Sequence, residues 1–138
     1  MKRIFLSVFL ALVMALTVAL TTAAAPMPTT TFTLLQGLPS TMNVGDIYTV
    51  VVQVESDQEF ISAMALPSFQ FPGKGVVAVQ GGDHAGRGTS ATLEVTFQAK
   101  SSTTNFPGGV APVHVVVGVR YAGGIVIAQD FLFNVTVP

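Results

Sequence analysis

The chain of 138 residues contains no cysteine and no tryptophan. Without cysteine there is no disulfide, thiolate metal site, thiol nucleophile or lipid-modified cysteine. The hydrophobic core alone must therefore hold the fold. A chain of about 110 residues buries roughly two-thirds of its unfolded surface, which is enough for one domain. With no tryptophan and two tyrosines, the sequence also offers few flat rings for stacking on sugars.

Charged residues are scarce as well. They make up 9% of the chain, and none lies between Arg3 and Asp46. Once the N-terminal leader described next is removed, four basic residues oppose seven acidic ones, a net charge of −3. Such a surface releases few phosphate counterions and presents no basic patch to anionic lipid. We therefore expect no nucleic-acid partner, and membrane contact only if the leader is retained.

The N-terminus has the three parts of a secretory signal peptide. Two basic residues precede the apolar run Ile4–Leu20, and the small residues of Thr21–Ala25 follow it. This order of charge, apolar core and small residues is the pattern that a signal peptidase recognises. Because Pro26 hinders cleavage directly before it, we predict a cut after Ala23 or Ala24.

The same segment, residues 1–24, has a second interpretation as an uncleaved membrane anchor. Ile4–Leu20 approaches the ~17–25 residues that a transmembrane helix needs, although no charged stop-transfer cluster follows it. We predict a cleaved signal helix and export to the extracellular space, the cell surface or the periplasm. Residues 25–31 are then an extended, solvated Pro/Thr linker.

The rest of the sequence alternates between apolar and polar residues, as half-buried β-strands do. The alternation is clearest in Ile47–Glu55, Ala91–Lys100 and Val113–Tyr121. Ala122–Gly124 then turns the chain tightly into Ile125–Val137. The last two long strands are therefore predicted to form a hairpin.

Three shorter segments complete the predicted set of strands. Phe32–Leu35 is the first, Phe60–Leu66 is apolar enough to be buried on both faces, and Val76–Val79 is an edge strand. The glycine-rich stretch Gly81–Gly88 is predicted to be a long solvated turn. With no helical period after the leader, the pattern predicts one all-β domain over residues 32–138, an antiparallel β-sandwich of about seven strands.

Several motifs occur in a fixed order along this domain: Gly45-Asp46 before an alternating strand, Ala91 to Phe97, Pro107-Gly108-Gly109, Val115 to Gly124, and Phe131 to Val137. This order resembles bacterial immunoglobulin-like modules of exported and cell-surface proteins, among them fibronectin-III-like and S-layer-associated ones. The resemblance implies the immunoglobulin-like form of the sandwich. A weaker similarity, through Phe60–Ala63 and Val76–Gly82, is to cohesin-type modules.

Four carboxylates form the candidate metal site. Three of them, Glu55, Asp57 and Glu59, fall in one segment of five residues that is predicted to be a turn. The fourth, Asp83, lies in the glycine-rich loop. Carboxylate oxygens are the ligands that Ca²⁺ prefers. We predict a solvated turn and no cofactor, and calcium is the alternative that these carboxylates allow.

Candidate partner contacts lie in two loops. Phe69 and Phe71 stand between prolines, where a phenyl ring can be left exposed to a partner protein. His84 and Arg87 lie in the glycine-rich loop, where glycines let another backbone approach closely.

Catalytic patterns are missing from the sequence. There is no Gly-x-Ser-x-Gly elbow, and the acidic residues fall in turns or on outward strand positions. Tyr48 and Tyr121 lie on apolar strand phases and are predicted core residues. We therefore predict a non-enzymatic exported module for cell-surface adhesion, assembly or protein–protein interaction, with a surface protein or a second copy as partner. The alternative is a calcium- or carbohydrate-binding accessory domain of the cohesin-like kind.

Overall fold

The computed structural model describes residues 26–69 and 71–138. The predicted signal segment, residues 1–24, lies outside the described residues. The described part contains two 3-10 turns, Pro107–Gly109 and Ala122–Gly124, and eight strands. In chain order these are β1 Thr30–Gln36, β2 Ile47–Phe60, β3 Ser62–Phe69, β4 Val76–Ala78, β5 Asp83–Ala85, β6 Gly88–Ala99, β7 Ala111–Arg120 and β8 Val126–Val135. No helix here is long and apolar enough to cross a membrane.

The strands form two four-stranded sheets. The first sheet has the order β1-β2-β6-β4 and the second has the order β5-β3-β7-β8. All neighbours within each sheet pair antiparallel. The predicted all-β architecture of antiparallel sheets is confirmed. The predicted hairpin is β7 and β8, in register from Ala111↔Val135 to Arg120↔Val126, and β4 is an edge strand as predicted.

The hydrophobic core lies between the inward faces of the two sheets. Every second residue of β7 and of the central parts of β2 and β6 is buried there, including Val95 and Phe97 of β6 and Val115 and Val117 of β7. Because successive side chains of a strand point to opposite faces, the alternation in the sequence decides which face is buried. Among the described residues, no buried side-chain nitrogen or oxygen lacks a hydrogen-bond partner. The sheets therefore enclose an apolar interior without unsatisfied polar groups.

The two tyrosines differ in burial. Tyr121 is 3% exposed, as predicted, but Tyr48 is 38% exposed. The prediction for Tyr48 is wrong because this residue is the second of β2, at the end of the sheet, where the apolar phase of the strand runs past the covered part of the core.

The acidic segment Glu55–Glu59 is a strand and not the predicted turn. β2 continues through it to Phe60, because Glu55 pairs with Thr31 of β1 on one side and with Ser90 of β6 on the other. The same pairing draws residues before Phe32 into the sheet, so that β1 begins at Thr30.

The apolar stretch Phe60–Leu66 is not one strand buried on both faces. Phe60 ends β2, and β3 alternates between buried Ala63 and exposed Met64. Only the inward face of β3 meets the other sheet. In addition, the predicted solvated turn Gly81–Gly88 contains a short eighth strand, β5, which pairs with residues 63–65 of β3.

Two buried hydroxyl groups tie the ends of the sandwich together. The phenol of Tyr121, just after β7, hydrogen-bonds to Thr30 Oγ1 at 2.5 Å and to Ser56 Oγ at 2.7 Å in the first sheet. At the other end, the fully buried Thr103 accepts from Val137 N through its Oγ1 at 2.9 Å. Thr103 N also donates to Val137 O at 2.8 Å. The Tyr121 phenol therefore connects the two sheets, and Thr103 fixes the position of Val137 near the C-terminus.

Candidate functional site

The outward faces of the two sheets differ in chemistry. The first sheet carries hydroxyl, amide and carboxylate side chains on its outward face: Thr31, Thr33, Thr49, Gln53, Glu55, Ser90, Thr92, Glu94, Thr96 and Gln98. Many of these groups satisfy one another. Thr92 Oγ1 donates to Gln53 Oε1 at 2.6 Å, and Gln53 Nε2 donates to Ser90 Oγ at 2.8 Å. Apart from Val51 and the exposed Ile47 of β2, this face is mainly polar, and many of its polar groups are bonded to one another.

The second sheet presents a largely apolar outward face. Its exposed large side chains are Met64 and Leu66 of β3, Val116 of β7, and Val126 and Leu132 of β8, which are 37% to 63% exposed. Strand pairing brings them together, because Leu66 lies beside Val116 and Met64 lies beside Gly118. We call this surface the docking face. Its four cross-strand rows are Ser62, Arg120 and Val126; Met64, Gly118 and Ala128; Leu66, Val116 and Asp130; and Ser68, His114 and Leu132.

A shallow cavity lies between the first two of these rows. It has a volume of about 180 Å³ and is lined by Ser62, Met64, Gly118, Val119, Arg120 and Val126. Gly118 forms the floor of the cavity because it has no side chain, whereas its cross-strand neighbours are Met64 and Ala128. A glycine inside a strand commonly marks a place where another backbone or a ligand comes close.

Three charged or titratable groups lie among the apolar side chains. His114 Nδ1 lies 2.7 Å from Asp130 Oδ2, and both side chains are partly exposed. Arg120 lies in the row on the other side of Gly118. Among the residues that the structure describes, no carboxylate lies within ion-pair distance of its guanidinium. The face therefore carries one cation without a partner and one carboxylate held by an imidazole.

The His114 and Asp130 pair has the geometry of the base half of a hydrolase triad. The nearest hydroxyl by register is Ser68, which lies beside His114 on β3. It makes no hydrogen bond to the imidazole. The amides of β3 and β7 around it belong to strand ladders, so they are not free to stabilise an oxyanion. The arrangement fits a surface contact better than acyl transfer.

The four predicted calcium ligands are held separately. Asp57 Oδ1 accepts from Thr29 N at 2.8 Å, and Glu59 pairs with Arg87 at 3.3 Å between two exposed side chains. Glu55 points outward from the first sheet. Within residues 26–69 and 71–138, no group of three His, Asp or Glu side chains lies close enough to hold a metal ion. Calcium binding stays a prediction, and the four carboxylates do not form a common site among the described residues.

The fourth predicted ligand, Asp83, has a structural contact that sequence reasoning missed. Its Oδ2 accepts from the backbone N of Glu94 at 2.8 Å, and its Oδ1 accepts from the backbone N of His84 at 2.9 Å. Glu94 is in β6 of the first sheet, whereas Asp83 starts β5 of the second. Asp83 therefore joins the two sheets, because it accepts a hydrogen bond from the amide of Glu94, a residue of β6 that β4 does not pair with.

The predicted partner contacts do not lie together. Phe71 is half-buried and packs against Phe106, with ring centroids 4.7 Å apart. The backbone of Phe69 ends β3, and its side chain lies outside the described part of the structure. Arg87 pairs with Glu59, while His84 is exposed beside Met64 at the margin of the docking face. Of the four, His84 alone borders the docking face.

The sequence does contain a signal for the docking face. Strict alternation would place a polar residue at Val116, between Val115 and Val117, and another at Leu132, between Phe131 and Phe133. Apolar residues on the outward phase of a hairpin indicate either a second covered face or an exposed apolar one. The order of strands in the sheets decides between these two alternatives. No element of the described chain covers the outward face of the second sheet, so this face is exposed.

The fold and the docking face define an all-β module of two antiparallel sheets with one polar and one apolar outward face. Comparison of the sequence with protein-family models and with curated proteins gives no match.

Proposed function

We propose that this protein is an exported, non-enzymatic, immunoglobulin-like β-sandwich that binds another protein at the cell surface through its docking face. The observation that carries the proposal is the contrast between the two outward faces. Met64, Leu66, Val116, Val126 and Leu132 are exposed together on one sheet, while the outward face of the other sheet carries mainly hydroxyls, amides and carboxylates, with Ile47 exposed at one end of it.

Energetics supports a partner on this face. Burying a large aliphatic side chain stabilises an interface by about 1.5–3 kcal/mol. Contiguous apolar patches beyond a few hundred Å² are uncommon on monomeric proteins and mark interaction sites. The five exposed side chains, of which Met64 and Val126 line the cavity, supply the apolar centre that an interface needs, and Ser62, His114 and Asp130 supply a polar rim.

The export and the immunoglobulin-like character are supported by the sequence. The leader has the charge, apolar core and small residues of a signal peptide. The order of strand faces that resembles bacterial immunoglobulin-like modules is compatible with the two antiparallel four-stranded sheets. Because a fold does not by itself imply a function, the proposal depends on the docking face and not on the sandwich.

Site-specific photo-crosslinking in the producing cells tests the proposal. A benzophenone amino acid replaces Leu66 on the docking face in the full-length chain, and in a matched variant it replaces Thr92 on the outward face of the first sheet. Both positions are exposed. We expect irradiation to link the exported protein to another polypeptide from position 66 and not from position 92.

Equal crosslinking from both positions, or none from position 66 in exported protein, would overturn the docking face as the binding surface. Mass spectrometry of the adduct identifies the partner. Circular dichroism of both variants confirms that the label leaves the β-structure intact.

A further inference from the structure

We propose that the partner on the docking face is a second copy of this chain, held by two reciprocal ion pairs between Arg120 and Asp130. This inference rests on the proposed function, because it names the occupant of the same face. The argument comes from the positions of the two charges relative to Gly118.

The charges lie on opposite sides of the glycine. Arg120 is two residues beyond Gly118 along β7, and Asp130 lies beside Val116, two residues before it. Two residues of a strand span about 7 Å. The docking face is therefore positive in the row above its centre and negative in the row below.

A two-fold axis that lies between two docking faces and crosses the strands near Gly118 exchanges these rows. It brings Arg120 of one copy over the row of Val116 and Asp130 of the other. Adjacent strands are about 4.8 Å apart, so the long arginine side chain reaches the carboxylate one strand away. Symmetry repeats the contact, and both unit charges of each copy gain an opposite partner.

The two opposite charges on the docking face favour a second copy of the chain over a partner whose surface is only acidic or only basic. A strongly acidic surface would meet Arg120 well but would repel Asp130, and a basic surface would do the reverse. A surface with the same two charges in reversed order satisfies both at once. Asp130 Oδ2 is held by His114, which leaves its second oxygen to accept from the guanidinium.

The centre of the face suits close approach of two sheets. The axis runs along the row of Met64, Gly118 and Ala128, of which Gly118 and Ala128 have the smallest side chains of the face. Because this row lies on the axis, the Met64 side chains of the two copies meet there, beside the cavity of about 180 Å³ that Met64 and Gly118 line in each copy. Methionine adapts its shape to irregular apolar gaps of this kind.

The size of the face sets the strength of the dimer. Three long strands, each about 4.8 Å wide and about 30 Å long, give roughly 400–500 Å² from each copy. The total of about 800–1,000 Å² is below the ~1,200 Å² of stable specific interfaces and falls in the range of weak ones. The dimer is accordingly weak, and it forms where the protein is concentrated, as on a surface.

Charge reversal tests the pairing. Arg120→Asp places two acidic residues opposite one another at both contacts of the symmetric dimer, and Asp130→Arg places two arginines there. Like charges across an interface are strongly disfavoured, so each variant alone is expected to dimerise about tenfold or more weakly than the parent chain. An equimolar mixture of the two restores association, because both contacts of the mixed dimer are then between opposite charges.

Sedimentation velocity of the exported protein over a concentration series measures each equilibrium. Glu94→Arg, on the outward face of the first sheet, is the matched control and leaves the parent equilibrium unchanged. Circular dichroism shows whether each variant is folded. Rescue on mixing cannot arise from a loss of folding, since neither chain is altered by mixing.

The inference is overturned if the parent chain stays monomeric at the highest concentration, or if the mixture associates no better than its components. The photo-crosslinking experiment separates this failure from that of the proposed function. A Leu66 adduct with a different protein keeps the docking face and removes the second copy as its occupant. A Leu66 adduct of twice the chain's mass supports both.

Discussion

The phenol oxygen of Tyr121 lies 2.7 Å from the hydroxyl oxygen of Ser56, across the two sheets of the sandwich. Tyr121 follows the last residue of β7 in the second sheet, while Ser56 is in β2 of the first. The same phenol also bonds to Thr30 of β1. One buried side chain therefore connects both sheets and the first strand of the domain.

Tyr121→Phe removes this connection while keeping the ring in the core. The two hydroxyls left behind are partly exposed and can bond to water, so we expect a loss of about 1–2 kcal/mol in the free energy of unfolding. Urea denaturation followed by fluorescence or circular dichroism measures it. Tyr48→Phe is the control, because Tyr48 is 38% exposed, and it should change stability by less than about 0.5 kcal/mol. Equal effects of the two substitutions would contradict the structural role of the phenol.

Thr103→Val is expected to destabilise more strongly. The Thr103 hydroxyl accepts from Val137 N at 2.9 Å and donates to Gly109 O at 2.8 Å. Valine has nearly the same shape but leaves a buried amide without an acceptor, which costs about 1–3 kcal/mol. Thermal and urea unfolding of this variant should be compared with Thr104→Val, whose side chain is exposed. If both variants unfold at the same denaturant concentration, the buried hydroxyl does not stabilise the C-terminal segment.

Gly82→Ala should be poorly tolerated. Gly82 has a φ of +132°, and an added Cβ would lie 2.6 Å from the backbone O of Ala65. The unfavourable backbone conformation alone costs about 1–3 kcal/mol, and the contact with a carbonyl oxygen adds to it. Gly86→Ala is the matched control because nothing lies within 4 Å of its added Cβ. A melting temperature for Gly82→Ala equal to that of Gly86→Ala would show that the segment before β5 can move aside.

Asp83→Ala tests the link between the sheets. Loss of two backbone hydrogen bonds to a carboxylate should lower stability by about 1–3 kcal/mol. It should also raise hydrogen exchange at the Glu94 amide, which donates to Asp83 Oδ2. Glu55→Ala removes an exposed carboxylate of the same predicted site and is expected to leave exchange at Glu94 unchanged. Unaltered protection of that amide in Asp83→Ala would disprove the link.

Calcium is not expected to stabilise the protein. Both oxygens of Asp83 already accept from backbone amides, and Asp57 and Glu59 hold other partners. A ligand that binds only the native state raises the melting temperature, so thermal melts with calcium and with chelator should coincide. A higher melting temperature with calcium would restore the metal site that the acidic residues predict.

Much of the fold could be predicted because alternation is local. The pattern of Ala91–Lys100 and of Val113–Tyr121 identifies the buried faces of β6 and β7 without knowledge of their partners. β5 could not be predicted, since three residues carry no period and pair only because β3 lies beside them. The acidic segment was predicted to be a turn for a related reason. Its charges favour solvent locally, but Glu55 pairs with β1 and β6, Ser56 pairs with β1, and Asp57 N donates to Thr29 O.

The site was harder to predict than the fold. The carboxylates of Asp83 and Glu59 were predicted metal ligands because of their residue type, but in the structure they bind Glu94 N and Arg87. The docking face depends instead on which neighbours β3, β7 and β8 acquire and on the lack of any covering layer in the described chain. Neither property is encoded in a short motif.

The bond between Thr30 and Tyr121 joins residues 91 positions apart in the chain. Contacts of such long range form late, and all-β domains dominated by them fold in milliseconds to seconds. The sandwich cannot close until its last hairpin has been synthesised. Under the proposed export, this delay keeps the chain unfolded and threadable while it passes through a narrow secretion channel, and folding is completed on the far side.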